Sequence, residues 1–367
     1  MHIPFVDLTA QYKSIQPAID GAIKNVIDET AFIGGKYVEE FENKFASLHQ
    51  VKHVISCANG TDSLYILMRM LGIGPGDEVI TVANSWISSS ETITQTGARP
   101  VFIDADPVFY SMDETKLESL INSKTKAVIA VHLQGQCCAI NTIKSICDKY
   151  GIPVIEDCAQ SHFSELNGIK AGLTGIAGSF SFYPGKNLGA YGDAGCMMTN
   201  DDALAEKCRM YARHGALIKH QHRIEGINSR LDGLQAAILS AKLPYVLEWT
   251  DKRIANAALY HKHLAGIQQL VLPQQRPHSK HTWHLYVVRA ERRDALKQYL
   301  KEQGIETVVH YPTPLPYLPA YKYLGYTGAH FPVATLLQAE ILSLPMYPEL
   351  KEEAIAYIAG AISSFYK

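Results

Sequence analysis

The sequence is short of charge. Asp, Glu, Lys and Arg supply 19% of its 367 residues, against about a quarter in typical soluble domains. Neither sign is in excess, since 34 basic and 36 acidic side chains leave a net charge of −2. No basic block stands out, which argues against a nucleic-acid or anionic-membrane partner. Long apolar runs are missing too. Stretches such as Ala127 to Val131 are far too short to span a bilayer. Met1 to Ala10 has no basic segment followed by an apolar one, so no secretory signal is expected there. Cys-x-x-Cys pairs are absent. The seven cysteines are odd in number, and adjacent Cys137 and Cys138 suit neither a local disulfide nor a zinc knuckle. Reduced, buried thiols in a cytoplasmic protein are the expectation, with no metal. Repeats and low-complexity segments are likewise missing.

What is present is a chain rich enough in apolar residues, at 47%, to exclude intrinsic disorder. Its length favours two domains at roughly 150 residues each. The lean charge inventory suggests that surface is hidden against another subunit. Strand-like and helix-like segments alternate. Lys52 to Ser56, Glu78 to Thr81, Pro100 to Ile103, Lys126 to His132, Pro153 to Glu156, Ser179 to Tyr183 and Cys196 to Thr199 read as strands. Asp62 to Leu71, Ile87 to Thr96 and Thr142 to Tyr150 read as helices between them. The apolar runs at 126–132 and 153–156 suit a sheet covered on both faces, and the alternation predicts βαβ units in a mainly parallel α/β sheet. Leu231 to His263 reads as helix interrupted at Pro244. One clear strand (Trp283 to Arg289) and helices at Ala295 to Glu302 and Glu352 to Phe365 follow. A large domain over 1–245, with the first 35 or so residues as an arm, and a small α/β domain over 246–367 are expected.

Three segments carry chemistry. Asn59 to Ser63 lies between a strand and a helix. Small residues and the Thr61 hydroxyl there make a plausible phosphate cup at a helix amino end. Thr61 could equally be a plain N-cap. Asp157 ends a buried strand, where ligands gather in open α/β sheets, and a buried acid there needs a partner such as a cationic ring nitrogen. It could also be a surface or capping residue. Lys186 stands in a turn of small, apolar and aromatic residues. A lysine so placed can lose its charge by desolvation and act as a nucleophilic amine, although lone lysines are usually exposed. Cup, strand-end acid and later lysine together form the set that pyridoxal phosphate needs. The lysine forms the Schiff base and the acid keeps the pyridinium nitrogen protonated. Trp86, after the second strand, offers a face to stack on the ring; alone it would read as a core aromatic.

With these residues in order, the sequence resembles the DegT/DnrJ/StrS sugar aminotransferases, of the aspartate-aminotransferase fold (fold type I), over nearly its whole length. The resemblance rests on Pro4 to Leu8, Cys57 to Ser63, Gly74 to Thr81, Ile155 to Gln160, Ser181 to Gly195, Gly226 to Asp232 and His310 to Pro312. It implies that Lys186 is the Schiff-base lysine, Asp157 the pyridinium partner and Gln160 the residue beside the ring hydroxyl. It also implies that Gly60, Thr61 and Ser181 hold the phosphate, Trp86 stacks on the ring, and Asn228 reaches the phosphate of a neighbouring subunit in a homodimer. Tyr183, His310 and Tyr311 match positions that contact the sugar nucleotide. Leu133-Gln134-Gly135 departs from a frequent Leu-Tyr-Gly, and Val82 to Ser85 lacks a frequent proline. A related dehydratase branch has histidine where Lys186 stands, so transamination is favoured. The implied reaction is amination of a nucleotide-linked keto-sugar with L-glutamate, for surface polysaccharide such as O-antigen or for secondary-metabolite glycans.

Two histidine groups stand apart. His278, His281 and His284 recur every three residues, without an acid or cysteine at ligand spacing, and read as packing or solvated side chains. His214, His220 and His222 precede Asn228 and lie either beside the site or on a surface loop.

Overall fold

The computed structural model describes all 367 residues. Helices α1 (Leu8–Ser14), α2 (Gln16–Asp28) and α3 (Lys36–His49) open the chain. In α3, Val38, Phe41 and Phe45 recur at three- and four-residue spacing and are buried, as one apolar helix face requires. Gln50, with φ of 60°, ends it in the left-handed region. There follow β1 (His53–Cys57), α4 (Gly60–Met70), β2 (Glu78–Val82), α5 (Ser88–Gln95), β3 (Arg99–Ile103), α6 (Leu117–Leu120), β4 (Thr125–Val131), α7 (Ile140–Lys149) and β5 (Val154–Asp157). A hairpin of β6 (Glu165–Leu166) and β7 (Ile169–Lys170) leads to β8 (Ala177–Ser181), β9 (Gly195–Thr199) and α8 (Asp202–Tyr211).

The large sheet has seven strands in the order β1-β9-β8-β5-β4-β2-β3. The β3, β2, β4, β5 and β8 neighbours pair in parallel. Strand β9 is antiparallel to both β1 and β8. An antiparallel neighbour needs no crossover helix, so β8 and β9 are joined by a turn, and that turn carries Lys186. The strand expected at Ser179 to Tyr183 runs instead from Ala177 to Ser181. Tyr183 lies beyond it, because its carbonyl closes the turn by accepting from Lys186 N–H at 2.8 Å.

Helices α9 (Gly233–Lys242) and α10 (Val246–Leu264) flank the interruption expected at Pro244, which lies in a 3-10 turn. The remainder contains β10 (Leu270–Val271), β11 (Ser279–Lys280), β12 (Tyr286–Ala290), α11 (Arg293–Glu302), α12 (Pro332–Glu340), β13 (Ile341–Leu344) and α13 (Glu352–Tyr366). Strands β10, β12 and β13 form an antiparallel sheet packed on a second core that includes Tyr260, Tyr286, Leu296 and Ile358. Strand β11 joins the β6–β7 hairpin.

The two cores interlock more than a linear division at 245/246 describes. Helix α10 is shared: Val246 belongs to the large core and Tyr260 to the small one. Ile3 joins the small core, whereas Ile15 and Ile19 pack with Ile238 and Trp249. Leu315, Tyr321 and Phe331 pack on Ala83 and Phe102 of the large domain. Asp104 fastens that excursion by accepting from the N–H groups of Val333 and Ala334 at 3.1 and 2.9 Å.

Candidate active site

A cavity of about 570 Å³ opens at the carboxyl ends of β1, β4, β5 and β8, where open α/β sheets place their ligands. Gly60, Thr61, Trp86, Asp157, Gln160, Ser181, Tyr183, Lys186, His310 and Tyr311 all line it. Asn228 does not.

The cup forms where α4 starts. Its N-cap is Asn59, whose Oδ1 accepts from Asp62 N–H at 2.8 Å. The capping alternative for Thr61 is thereby corrected: Thr61 lies inside the first turn, and its hydroxyl bonds to the Ser88 hydroxyl at 2.7 Å. The amino ends of α4 and α5 therefore meet. A side chain at position 60 would put its Cβ 2.6 Å from Ser181 Cβ, so glycine lets α4 sit directly on the end of β8. Register explains the approach. Gly195 of β9 lies opposite Cys57 on one side and Ser181 on the other. A Cβ on Gly195 would come within 2.4 Å of the Asn59 carbonyl carbon.

Asp157 is buried, not a surface or capping residue. Its carboxylate accepts from Ala159 N–H at 3.1 Å and from the Ser89 hydroxyl at 3.0 Å. Burial raises its pKa above the ordinary value, against the lowering effect of those two donors and of Lys186. Lys186 is half-buried in the turn after β8. Burial pushes its amine down to about 8, with Asp157 opposing. An acid kept short of positive charge and an amine kept short of protons thus share one cavity.

Gln160 is locked at both ends of its amide. Its Oε1 accepts from Gln134 N–H at 2.7 Å, and its Nε2 donates to Tyr311 Oη at 2.8 Å. Gln134, with φ of 63°, is left-handed, which aims its N–H at Gln160. Tyr311 stands 5.8 Å from Trp86 between ring centroids. His310 meets the Ser343 hydroxyl at 2.9 Å, and burial pushes its pKa down to about 4. Trp86 and Tyr183 are 58% and 59% exposed. Their rings are available at the mouth rather than buried as core aromatics.

Asn228 is exposed, on a segment behind the cup. The adjacent Ser229 hydroxyl donates to Asp62 at 2.6 Å and accepts from Ala58 N–H at 3.1 Å. His214, His220 and His222 are exposed on the preceding segment and do not line the cavity. His281 stacks on Trp283 at 3.7 Å, while His284 meets Asn187 at 3.1 Å. The cluster that does converge is His132, Glu156 and Cys158, with ligating atoms within 4.8 Å. Its lone pairs are already committed. His132 Nδ1 accepts from Cys138 N–H at 3.1 Å, and its Nε2 donates to Glu156 at 2.7 Å.

Ser88, Ser89, the capping role of Asn59 and the Gln134 N–H were not assigned from the sequence. The small hydroxyl run from Ser85 to Ser90 after a strand end was the available signal for the serines. Nothing local marks the peptide of Gln134 as an anchor.

The arrangement can hold an anion at the cup, a cationic ring nitrogen at Asp157, and a carbonyl carbon within reach of the Lys186 amine. Comparisons with known proteins agree with that chemistry. Residues 13–363 match the DegT/DnrJ/EryC1/StrS aminotransferase family. A pleiotropic regulatory protein of Geobacillus stearothermophilus is 44% identical, over 100% of this chain and 99% of that protein. The dTDP-3-amino-3,6-dideoxy-alpha-D-galactopyranose transaminase of Aneurinibacillus thermoaerophilus is 41% identical, over 99% of each chain. The UDP-N-acetyl-3-dehydro-alpha-D-glucosamine 3-aminotransferase of Acidithiobacillus ferrooxidans is 40% identical, over 98% of this chain and 97% of that protein. The structure of S. venezuelae DesV in complex with a ketimine intermediate superimposes with a TM-score of 0.97 at 36% identity, covering 100% of this chain and 99% of that one. The chain belongs to the DegT/DnrJ/EryC1/StrS aminotransferase family.

Proposed function

We propose that this family member is a pyridoxal-phosphate aminotransferase that converts a nucleotide-linked 3-keto sugar to the amino sugar, with L-glutamate as donor. A dTDP-linked 3-keto-6-deoxyhexose is the first choice of substrate. The observation that carries the reading is the convergence of Lys186, Asp157 and the Gly60–Thr61 cup, each from a different strand end, in one cavity.

Pyridoxal phosphate, when bound, supplies an electron-accepting ring that stabilises negative charge on a substrate carbon. The residues of this chain do the rest. Gly60, Thr61 and Ser181 hold the phosphate at the amino end of α4, where the helix dipole favours an anion. Asp157 keeps a proton on the ring nitrogen, and that cation offsets the burial which otherwise raises the Asp157 pKa. Gln160 would stand beside the ring hydroxyl with its amide fixed by Gln134 and Tyr311, and Trp86 would cover the ring face. Lys186 attaches the cofactor and, as a free amine, takes the proton from the donor's α-carbon. Its pKa of about 8 leaves a usable unprotonated fraction near neutral pH. Tyr183, His310 and Tyr311 line the side on which the sugar enters. Asn228, exposed and outside its own cavity, is offered to the phosphate of a second copy, which makes a homodimer the working unit; the reduced-thiol reading of the seven cysteines supports a cytoplasmic one.

The segments Tyr183 to Gly189 and Gly192 to Gly195 resemble those of the branch of the family that aminates C3 more than those of the branch that aminates C4, and C3 is the proposed position. Relatives named for dTDP-sugars and for UDP-sugars both support a nucleotide carrier. The product then serves a surface polysaccharide or a secondary-metabolite glycan. The test is a panel of dTDP- and UDP-linked 3- and 4-keto sugars with glutamate, with NMR locating the new C–N bond. A product that has lost a hydroxyl without gaining nitrogen would establish a dehydratase instead. The regulatory relative favours a second reading, a cofactor-binding regulator without turnover. It predicts no change in the visible absorption of the loaded protein with any amino donor.

A further inference from the structure

Lys186 is not the only lysine taken out of water. Lys242, at the end of α9, is 0% exposed. Its Nζ donates to the Gly189 carbonyl at 2.7 Å and lies 4.1 Å from the centroid of the Tyr191 ring. Neither partner carries a negative charge, and the acid acting on it, Glu349, does so at longer range. Burying an ammonium this way costs stability that an apolar side chain would not cost. Its partners show where that cost is directed.

Gly189 and Tyr191 belong to the turn that carries Lys186. A Cβ on Gly189 would lie 2.3 Å from the Pro184 carbonyl oxygen and 2.9 Å from that of Tyr183. The Gly189 peptide is therefore pressed against the first half of its own turn. That half is closed by Lys186 N–H donating to the Tyr183 carbonyl at 2.8 Å, and the second half by Ala190 N–H donating to Phe182 at 2.8 Å. A shift of Gly189 moves the backbone of Lys186. Gln235 precedes Lys242 by two helical turns, so both project from one face of α9. Its Oε1 accepts from Tyr191 N–H at 2.8 Å. On the opposite side, Asn187 Nδ2 donates to the Thr282 carbonyl at 3.1 Å.

We propose that Lys242 and Gln235 are positioning residues for Lys186: from one face of α9 they hold the Gly189–Tyr191 backbone and so set where the Lys186 amine stands relative to Asp157. This rests on the reading of Lys186 as the cofactor-linking amine. The groups facing Lys186 are Asp157 on β5, His162 after it, and His284 and His310 from the small domain. Those facing Lys242 are Tyr191 and Glu349.

The test compares Lys242→Met, which keeps length without the donor, with wild type, both loaded with pyridoxal phosphate. Borohydride reduction and peptide mass first locate the cofactor on Lys186 in the wild type; no link there overturns this proposal together with the proposed function. With the link present, Lys242→Met is expected to fold and to lose roughly ten- to a hundred-fold in kcat, with KM for the sugar nearly unchanged. Stripped of cofactor, it should capture pyridoxal phosphate with a pH midpoint higher than that of wild type, because a loosened turn lets water reach the Lys186 amine. Lys242→Arg, which keeps a donor, should recover part of both. Unchanged kcat and an unchanged capture midpoint in Lys242→Met overturn this inference alone. Should that variant not fold, Gln235→Leu is read by the same two measurements, and wild-type values there overturn it equally.

Discussion

Glu156 and Asp157 are consecutive carboxylates on β5, both buried, and the strand turns them to opposite faces of the sheet. Glu156 accepts from His132 at 2.7 Å and from the N–H groups of Gly172, Thr174 and Gly175 at 2.8, 2.7 and 2.6 Å. Asp157 accepts only two hydrogen bonds, at 3.1 and 3.0 Å. Burial pushes both pKa values up, but at Glu156 the His132 ring and the backbone amides more than offset it and hold the pKa below the ordinary value. At Asp157 burial wins. A carboxylate with its acceptor capacity filled pins the 172–175 loop to the sheet. A carboxylate left under-supplied at the lip of a cavity has room for a cation. The two desolvated lysines divide in the same way, since buried Lys242 is committed to a carbonyl whereas the half-buried Lys186 amine faces the cavity.

The contrast can be broken by variants on either side of β5. The largest effect is expected at Lys186. Lys186→Ala should lose the reducible protein–cofactor bond, and turnover should fall by roughly a thousand-fold or more, as read by mass spectrometry and steady-state rates. A persisting covalent bond would refute the lysine assignment. Next is Glu156→Gln, which leaves His132 buried without its acid and should cost about 3–5 kcal/mol in urea denaturation, while the folded fraction keeps its turnover.

The same pair predicts a pH signature. Glu156 has a folded pKa below its ordinary 4.5, so its stabilisation is present above that value and lost as pH falls through the lowered one. His132 adds no titration of its own: its Nδ1 accepts from the Cys138 N–H, so the ring is neutral and its one proton lies on Nε2 toward Glu156. The pair therefore stabilises fully above 4.5 and weakens as pH falls through the lowered Glu156 value. Denaturation of Glu156→Gln should show a flatter acid limb than wild type.

Asp157→Asn reverses the pattern. Turnover should fall by roughly a hundred-fold, because the ring nitrogen loses its anion, with stability nearly unchanged by thermal melting. If Asp157→Asn unfolds the protein while Glu156→Gln only slows it, the assignment of roles on β5 is wrong. The smallest effect is expected at the cup. Gly60→Ala forces its Cβ onto Ser181 and should weaken cofactor binding by about 1–3 kcal/mol, measured by fluorescence titration.

Much of this site was legible in the sequence. The apolar runs from Lys126 to His132 and from Pro153 to Glu156 read as strands covered on both faces, and Asp157 stands where the second of them ends. The Asn59 to Ser63 cup and the lone lysine at 186 were visible for the same reason: unusual residues at the junctions of regular elements. Other features were not. Ile341 to Leu344 pairs with a strand more than fifty residues earlier, and four apolar residues after a helix carry no sign of it. Helix α12 was missed because its contacts are with Asp104, far away in the chain. Asn59 rather than Thr61 caps α4, as the stronger capping preference of asparagine favours.

The sequence by itself determined the alternating elements, the order of cup, acid and lysine, and through them the family. Those depend on local patterns of two and three-and-a-half residues and on residue type. Only the tertiary structure decided which polar groups are already satisfied. Glu156 and Asp157 are adjacent letters of the same chemistry, and Lys186 and Lys242 are the same letter. Their roles diverge because hydrogen-bond partners are supplied by segments distant in the chain, and a buried group's pKa depends on how many of those partners arrive.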